Sequence, residues 1–230
     1  MYRYETHMHT TPASLCARAT VRESMEFYRD LGYDGIFVTN HFIDGNVGGD
    51  RTRPYLEQLD FYFNDVDEAL SLQKEIGLRI FEGVELSYGG TDFLIYGLPR
   101  AFYYEHPEIM EMEKSRELPF LIGQGALVVQ AHPYREAHYI DHIRLYPRCV
   151  QGVETINANR TELENRMADV YADAYGLVKT AGSDNHSAYR QKKLAGMQSE
   201  TPLRDEKDFC ARVRRGKMKL FTLDNPFAKD

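Results

Sequence analysis

The sequence predicts an α/β protein in which strands and helices alternate, arranged as a barrel or as an open parallel sheet. Short apolar runs recur along the 230 residues, and several are separated by segments with apolar residues three and four apart. Glycines stand where several of these segments end, as is common at helix C-termini. A strand–loop–helix unit repeated about seven times is typical of a parallel α/β barrel. This length is ordinary for one such domain, here residues 1–230.

The first half of the chain is predicted to contain four strands and two helices. Thr20 and Glu23 have the spacing of a capping box, so a helix is expected to begin directly after Thr20. The predicted strands are 2–6, 35–39, 78–86 and 92–96, and the predicted helices are 21–31 and 54–76.

The second half continues the pattern and adds a tail. Residues 99–116 are expected to be partly helical. A capping box at Thr161 and Glu164 marks another helix start. The predicted strands are 126–131, 152–156 and 177–181, with tail strands near 196–197 and at 219–223. The predicted helices are 115–122, 136–145, 161–175 and 203–215.

Composition narrows the classes of function. The formal charge is −7 and no basic block stands out, so binding to long nucleic acid is not expected. The three cysteines are odd in number and far apart, which favours a reducing compartment over a disulfide framework. We expect a cytoplasmic protein, since no apolar leader and no run of membrane-spanning length is present. The oligomeric state is left open.

Residues able to bind metal follow one predicted strand after another. His7 and His9 come directly after the first strand, where residues two apart point to the same side and can chelate one ion. Because the C-terminal ends of barrel strands converge on one face, ligands distant in sequence are expected to meet there. The full candidate set is His7, His9, His41, Glu85, Asp92, His132, Asp184 and His186.

The chemistry of this set indicates more than one ion. Imidazole and carboxylate donors without thiolates suit Zn²⁺, Mn²⁺ or Fe²⁺. The donors outnumber what a single tetrahedral ion needs, so at least two divalent ions are implied. Glu85 is a candidate to bridge two of them.

Taken together, these stretches resemble the PHP (polymerase and histidinol phosphatase) domain family. The resemblance spans nearly the whole chain in the right order. It implies a distorted, TIM-like (βα)7 barrel with a bi- or trinuclear centre and metal-dependent phosphoester hydrolysis. The matching segments are His7-Met8-His9-Thr10, Thr39-Asn40-His41, Gly83-Val84-Glu85, Gln130-Ala131-His132-Pro133, Gly152-Val153-Glu154 and Gly182-Ser183-Asp184-Asn185-His186.

The resemblance also implies which residues hold which ion. The first ion is assigned to His7, His9, Glu85 and Asp184. The second is assigned to Glu85, His132 and Asp92, and the third to His41 and His186.

Two positions depart from the family pattern. Pro12 stands where a further ligand of the third ion is expected, and Ser14 or Cys16 are the available substitutes. Asn40 replaces a common aspartate, which would change the surroundings of His41. The third site is therefore left uncertain.

Four residues are candidates for catalysis. Asp184 or His186 could relay a proton, and Arg135 and Arg190 could clamp a phosphate, with Arg18 a weaker candidate. For the arginines, an ordinary solvated loop charge is an equally good interpretation.

Other residues are assigned to the surroundings of the site. Glu154 is either a ligand or, in the favoured interpretation, a carboxylate that supports the ligands from behind, and Asn157 and Asn159 are expected to shape the rim. Substrate determinants are expected in the segments 43–53 and 99–116.

The favoured function is hydrolysis of a small phosphorylated metabolite or nucleotide by metal-activated water. Whether the ester is a mono- or diester is left open. One alternative is a non-catalytic metal-binding domain, which Pro12 and Asn40 would favour. Another is a metal-dependent amidohydrolase, although no lysine stands at a strand end to become the bridging modified lysine typical of that class.

Overall fold

A computed structural model, which describes residues 1–228, shows one mixed sheet that curls into a barrel. Nine strands lie in the order β7-β6-β5-β4-β3-β2-β1-β8-β9. Their bounds are β1 Tyr2–Glu5, β2 Gly35–Val38, β3 Arg79–Tyr88, β4 Thr91–Tyr96, β5 Leu127–Ala131, β6 Gly152–Asn157, β7 Val178–Gly182, β8 Lys193–Ser199 and β9 Lys219–Asp224.

The barrel nearly closes where the chain leaves β1 and β7. Met8 and Asn185 form a parallel bridge there. The amide of His9 donates to the carbonyl of Asn185 at 2.9 Å, and the amide of Asn185 donates to the carbonyl of His7 at 3.4 Å. The predicted distorted TIM-like barrel is confirmed, with a strand count that differs from seven.

The sheet is not uniformly parallel, which corrects the expected regular repeat. β3 and β4 form a tight hairpin with no helix between them, and β4 and β5 are also antiparallel. β8 and β9 pair antiparallel as well. One consequence matters for the site: β4 begins at the C-terminal end of β3, so Asp92, near its start, lies at the same face as Glu85.

Six α-helices and two short 3₁₀ turns connect the described strands. The capping boxes at Thr20 and Thr161 both form. The helices are α1 Val21–Asp30, α2 Tyr55–Ile76, α3 Arg100–Glu105, α4 Lys114–Gly123, α5 Glu162–Tyr175 and α6 Glu206–Arg214, and the 3₁₀ turns are Pro107–Glu111 and Ala188–Arg190.

One predicted helix, 136–145, was wrong. The chain between β5 and β6 has no helix, and its C-terminal part is held by a side chain of β5 instead. Gln130 donates to the carbonyl of Arg144 at 2.7 Å and accepts from the amide of Tyr146 at 3.1 Å. Because these bonds hold the segment against the sheet, tertiary contacts outweigh its local helical spacing.

Alternation along the strands separates two apolar clusters. On β5, Val128 belongs to the cluster shared with α1, α2 and α4, whereas Leu127 and Val129 belong to a cluster that includes α6. On β3, Phe81 belongs to the second cluster and Val84 to the first. Since residues two apart share a face, the side chain of Glu85 points to the same side of β3 as Phe81.

No helix among residues 1–228 combines the length and the apolarity needed to cross a membrane.

Candidate metal centre

The first histidine of the pair is held from behind by a carboxylate. His7 Nδ1 lies 2.9 Å from Glu154 Oε1. The other oxygen of Glu154 accepts from the amide of His132 at 3.1 Å and from Asn157 Nδ2 at 2.8 Å. His7 Nε2 therefore faces the interior, 3.1 Å from Glu85 Oε1. A histidine whose rear nitrogen meets a carboxylate is the usual arrangement of a metal ligand, and Glu154 takes the supporting place expected for it.

The second histidine is held by a hydroxyl. His9 Nδ1 lies 3.1 Å from Ser14 Oγ, which also donates to Asn40 Oδ1 at 3.0 Å. His9 Nε2 lies 3.4 Å from both Glu85 Oε2 and Asp184 Oδ1. Ser14 thus orients a ligand. Asn40 shapes the loop that carries His9, accepting from the amide of Thr10 at 2.7 Å.

Glu85 lies at the middle of the cluster and is completely buried. Its two oxygens lie 2.7 to 3.4 Å from ring nitrogens of four histidines, yet neither oxygen has a hydrogen bond of acceptable geometry. Buried carboxylate oxygens are normally satisfied, and leaving them unpaired is costly. Donor atoms that converge without bonding one another are what a bound cation requires. The four histidines are His7, His9, His41 and His132.

Three groups of side chains in the described part of the chain could hold an ion. In each group the donor atoms lie within 4.8 Å of one another. Two groups share His7 and include a carboxylate, whereas the third consists of imidazoles alone. The groups are His7 with Glu85 and His132, His7 with His9 and Asp184, and His9 with His41 and His186. Seven of the eight predicted ligands are thus brought together, and their nitrogen and oxygen donors fit divalent ions.

The charged side chains at the centre shift one another's pKa. Burial alone would lower the pKa of His7, but the carboxylates of Glu154, Asp184 and Glu85 outweigh it and raise that pKa well above its usual range. Burial would raise the pKa of Glu85, but His41 and His7 hold it well below its usual range. The imidazole of His7 and the carboxylate of Glu85 therefore shift each other's pKa in opposite directions.

The backbone is strained at two of these positions. His132 has a φ of 25° and Asp184 has a φ of 51°, and residues other than glycine rarely adopt this backbone region. Gly182 shows a second constraint, because a Cβ there would lie 2.5 Å from His7 Cβ. Such outliers collect at functional sites, where the surrounding structure enforces them.

An open cleft of about 760 Å³ lies over the cluster and is lined by His41, Asp184 and His186. Asp92 and Arg135 also line it, 2.7 Å apart as an ion pair, with Asp92 Oδ2 3.8 Å from His132 Nε2. Asp92 is not among the three groups of donors, so its role as a ligand stays a prediction.

The loops that border the cleft only partly match expectation. Asp44 and Arg51, from the predicted segment 43–53, line it. The segment 99–116 instead folds into α3 and the following 3₁₀ turn, and none of its residues is among those lining the cleft. The irregular chain after β5 takes its place, through Arg135 and Tyr139.

Two arginines are placed differently from the prediction. Arg190 and Arg18 line a separate surface depression beside α1 and do not line this cleft. Arg160, which sequence reasoning did not select, does line it. The guanidinium of Arg160 has no hydrogen bond or ion pair within residues 1–228, and its Nε is buried. Its position in the loop after β6, near Asn157, was the available signal, since strand-end loops form this face.

Cys16, rather than residue 12, lies beside the third group. Pro12 is exposed, whereas the Cys16 thiol lies beside His186 and His41 on the wall of the cleft. Burial raises the pKa of this thiol, but the two imidazoles outweigh it and bring the pKa to about 6.

Comparison with known proteins gives a fold. No family model and no curated protein matches the sequence. A two-domain protein from Bacteroides vulgatus that contains a predicted PHP-like metal-dependent phosphoesterase aligns with a TM-score of 0.69 and 17% identity, over 96% of this chain. This chain spans only 64% of that protein's length.

Two further structures align over most of both chains. A protein from Bifidobacterium adolescentis, provisionally named a metal-dependent phosphoesterase, has a TM-score of 0.56 and 14% identity, covering 80% of this chain and 88% of its own. An amidohydrolase from Chromobacterium violaceum with bound sulfate has a TM-score of 0.53 and 13% identity, covering 94% and 97%. The chain therefore has a PHP-type fold, as the sequence resemblance indicated.

Proposed function

We propose that this protein is a metal-dependent hydrolase that acts on small phosphorylated compounds. The observation that carries the proposal is Glu85, a buried carboxylate with four imidazoles around it and no hydrogen bond to either oxygen. A non-catalytic domain would have no physical need to keep such a cluster open to a cleft. The donor groups overlap, because His7 and His9 each belong to two of them and offer one inward-facing nitrogen, so together they fit two or three divalent ions.

Individual residues of the chain have different roles in the proposed reaction. Bound divalent ions would lower the pKa of a water molecule towards neutral and would stabilise negative charge on the substrate's oxygens. Glu154 fixes the ring of His7, and Ser14 fixes the ring of His9. His186, whose side chain is 23% exposed and lines the cleft, is placed to hold the third ion beside the substrate. Asp184, which also lines the cleft, is placed to hold the first ion together with His7 and His9.

The position of Arg160 favours a phosphorylated substrate. Its guanidinium lines the cleft without a protein partner, so it is free to pair with a phosphate in the forked geometry that arginine favours. Arg135 is already paired with Asp92 and bonds the carbonyl of Gly90 at 2.8 Å, which suits it better to holding the cleft wall. Arg190 is not proposed to touch substrate from its own depression.

An amidohydrolase is the second candidate, favoured by the similarity to the Chromobacterium violaceum structure. The cleft argues against the subtype that uses a modified lysine, since no lysine is among the residues that line it. The phosphoesterase proposal is therefore preferred.

The test is an activity panel on protein reconstituted with Zn²⁺, Mn²⁺ or Fe²⁺. We expect hydrolysis of p-nitrophenyl phosphate or of bis-p-nitrophenyl phosphate, which also separates mono- from diesterase action. Small amides and lactams belong in the same panel. Hydrolysis of an amide with no phosphoester turnover would replace the proposal with the second candidate, and no turnover of either class would leave a metal-binding domain.

A further inference from the structure

The histidine group differs from the other two groups in its charge and in its number of donors. His9, His41 and His186 offer three nitrogens and no carboxylate. The ring of His9 lies between the other two, with centroids 4.4 Å from His41 and 4.3 Å from His186. A divalent ion held by three imidazoles keeps its full charge and lacks the fourth donor of a tetrahedral site. The group is therefore incomplete as it stands.

Cys16 is built into a fixed position beside this group. The amide of Leu15 donates to the carbonyl of Asn46 at 2.9 Å, and the amide of Ala17 donates to the carbonyl of Ser14 at 3.1 Å. The amide of Arg18 donates to the carbonyl of His186 at 2.7 Å, which ties the loop to one of the three histidines. Bonds on both sides thus place the Cys16 side chain on the cleft wall with His41 and His186.

Contacts within the group also point to an absent ligand. The Cys16 side chain lines the cleft beside both His41 and His186. His41 is 7% exposed, and its Nδ1 is buried without a hydrogen bond although Glu85 Oε2 lies 2.7 Å away. The Cys16 thiol thus adds a donor beside a group of imidazoles whose donor atoms lie within 4.8 Å of one another.

We propose that Cys16 is a ligand of the third ion, which is then held by a thiolate together with the imidazoles of His41 and His186. The thiolate would neutralise part of the ion's charge, and it explains how the site can do without a ligand at residue 12. It would also make this site soft, favouring Zn²⁺, Co²⁺ or Cd²⁺ over Mn²⁺, while the two sites with carboxylates accept hard ions. The inference rests on the metal binding of the proposed function but needs no phosphoester substrate.

The experiment is a Co²⁺ titration of the full-length, reduced, metal-free protein. A cobalt–thiolate bond gives an intense near-ultraviolet charge-transfer band that imidazole and carboxylate ligands do not give. We expect this band to grow as the last of about three equivalents of Co²⁺ binds. Metal analysis after gel filtration counts the ions independently of the spectrum and of activity.

Matched variants assign the band. Cys16→Ser should abolish it and weaken the last ion at least about tenfold, since even indirect support of a ligand contributes that much. Cys149→Ser is the control, because Cys149 does not line the cleft, and it should keep the band. Cys16→Asp should restore the third ion without the band and shift its preference towards Mn²⁺.

A measurement on the unaltered protein covers the case in which a variant misfolds. Alkylation of Cys16 by iodoacetamide, read by peptide mass, should be blocked by saturating Zn²⁺, while alkylation of Cys149 should not change. Cobalt binding to saturation without the band, a band that survives Cys16→Ser, or unprotected Cys16 would each overturn the inference. A band in a protein that hydrolyses no phosphoester would uphold it while the proposed function fails.

Discussion

Two buried carboxylates differ in whether the protein provides hydrogen-bond partners for their oxygens. Asp208 on α6 is 8% exposed and Glu85 on β3 is 0% exposed. Asp208 accepts from Arg212 Nη2 at 2.7 Å, from Arg212 Nε at 3.1 Å and from the amide of Arg204 at 3.0 Å. Glu85 meets only imidazole nitrogens, in poor hydrogen-bond geometry. Asp208 thus has hydrogen-bond partners for its oxygens, whereas neither oxygen of Glu85 has one.

The electrostatics of the two carboxylates agree with this contrast. Burial would raise the pKa of Asp208, but hydrogen bonds from Arg212 and from the amide of Arg204 lower it to about 2. The pKa of Glu85 is also held low, by groups that can themselves lose a proton. Arginine cannot be deprotonated in a protein and histidine can, so the counter-charge at Glu85 can be exchanged for a metal ion.

The largest effect is expected from Glu85→Gln. Because Glu85 lies within reach of the donors of neighbouring groups, the variant should lose more than one bound ion. It should also lose at least about a thousandfold in kcat, the scale of removing a central electrostatic group. Metal analysis and phosphoester kinetics measure the two effects. Loss of a single ion would show that Glu85 does not bridge.

Metal binding should stabilise the folded state, and the size of this stabilisation should depend on Glu85 but not on Asp208. At a hundredfold excess of Zn²⁺ over its Kd, the wild-type protein should gain about 2.7 kcal/mol per site. Asp208→Asn should gain as much, whereas Glu85→Gln should gain much less. Thermal unfolding with and without Zn²⁺ tests this. Equal gains in Glu85→Gln and wild type would mean that Glu85 is not part of the binding site.

The next effect concerns Asp208 and its dependence on pH. The folded pKa lies below the usual value for aspartate, so the ionised carboxylate stabilises the fold above about pH 4, and that stability is lost as the pH falls towards about 2. Asp208→Asn should cost about 1–2 kcal/mol at pH 6, less than the full linkage value because solvent screens part of the ion pair. Urea unfolding of both proteins over this pH range should show the difference narrowing under acid. A difference that does not vary with pH would remove the ion-pair explanation.

The smallest effect is expected at Arg160. Arg160→Met should raise KM for a phosphoester about tenfold, the range of one charge-assisted pairing with phosphate. Arg190→Met is the control and should change KM less than twofold, since Arg190 lies in a different depression. Steady-state kinetics on the metal-loaded proteins compare the two. An equal response of both variants would argue against a phosphate contact at Arg160.

The order of elements could be predicted from the sequence because local signals mark it. Both capping boxes formed, and the helix predicted at 54–76 is present as α2. The hairpin of β3 and β4 was harder to foresee, since Tyr88, Gly89 and Gly90 predict a turn without predicting how far the strands pair. The false helix at 136–145 shows the same limit, because a long-range contact from Gln130 decides it.

The ligands could be predicted because each follows a strand, whereas the supporting residues could not. Nothing local to Ser14 or Asn157 indicates that they touch His9 or Glu154 across the fold. The sequence could offer Cys16 only as one of two substitutes for the ligand expected at residue 12. The distance from a loop residue to His186 depends on which backbone hydrogen bonds fix the loop. Arginine side chains are long enough that sequence position alone could not separate Arg190 from Arg160.

The seam that closes the barrel has a consequence for synthesis of the chain. It joins Met8 to Asn185, and proposed ligands lie on both of its sides, with His7 and His9 on one and Asp184 and His186 on the other. A nascent chain therefore cannot complete this centre until residue 186 has left the ribosome. Until then, the early histidines are exposed without their partners, and only late in translation do barrel closure and metal capture become possible together.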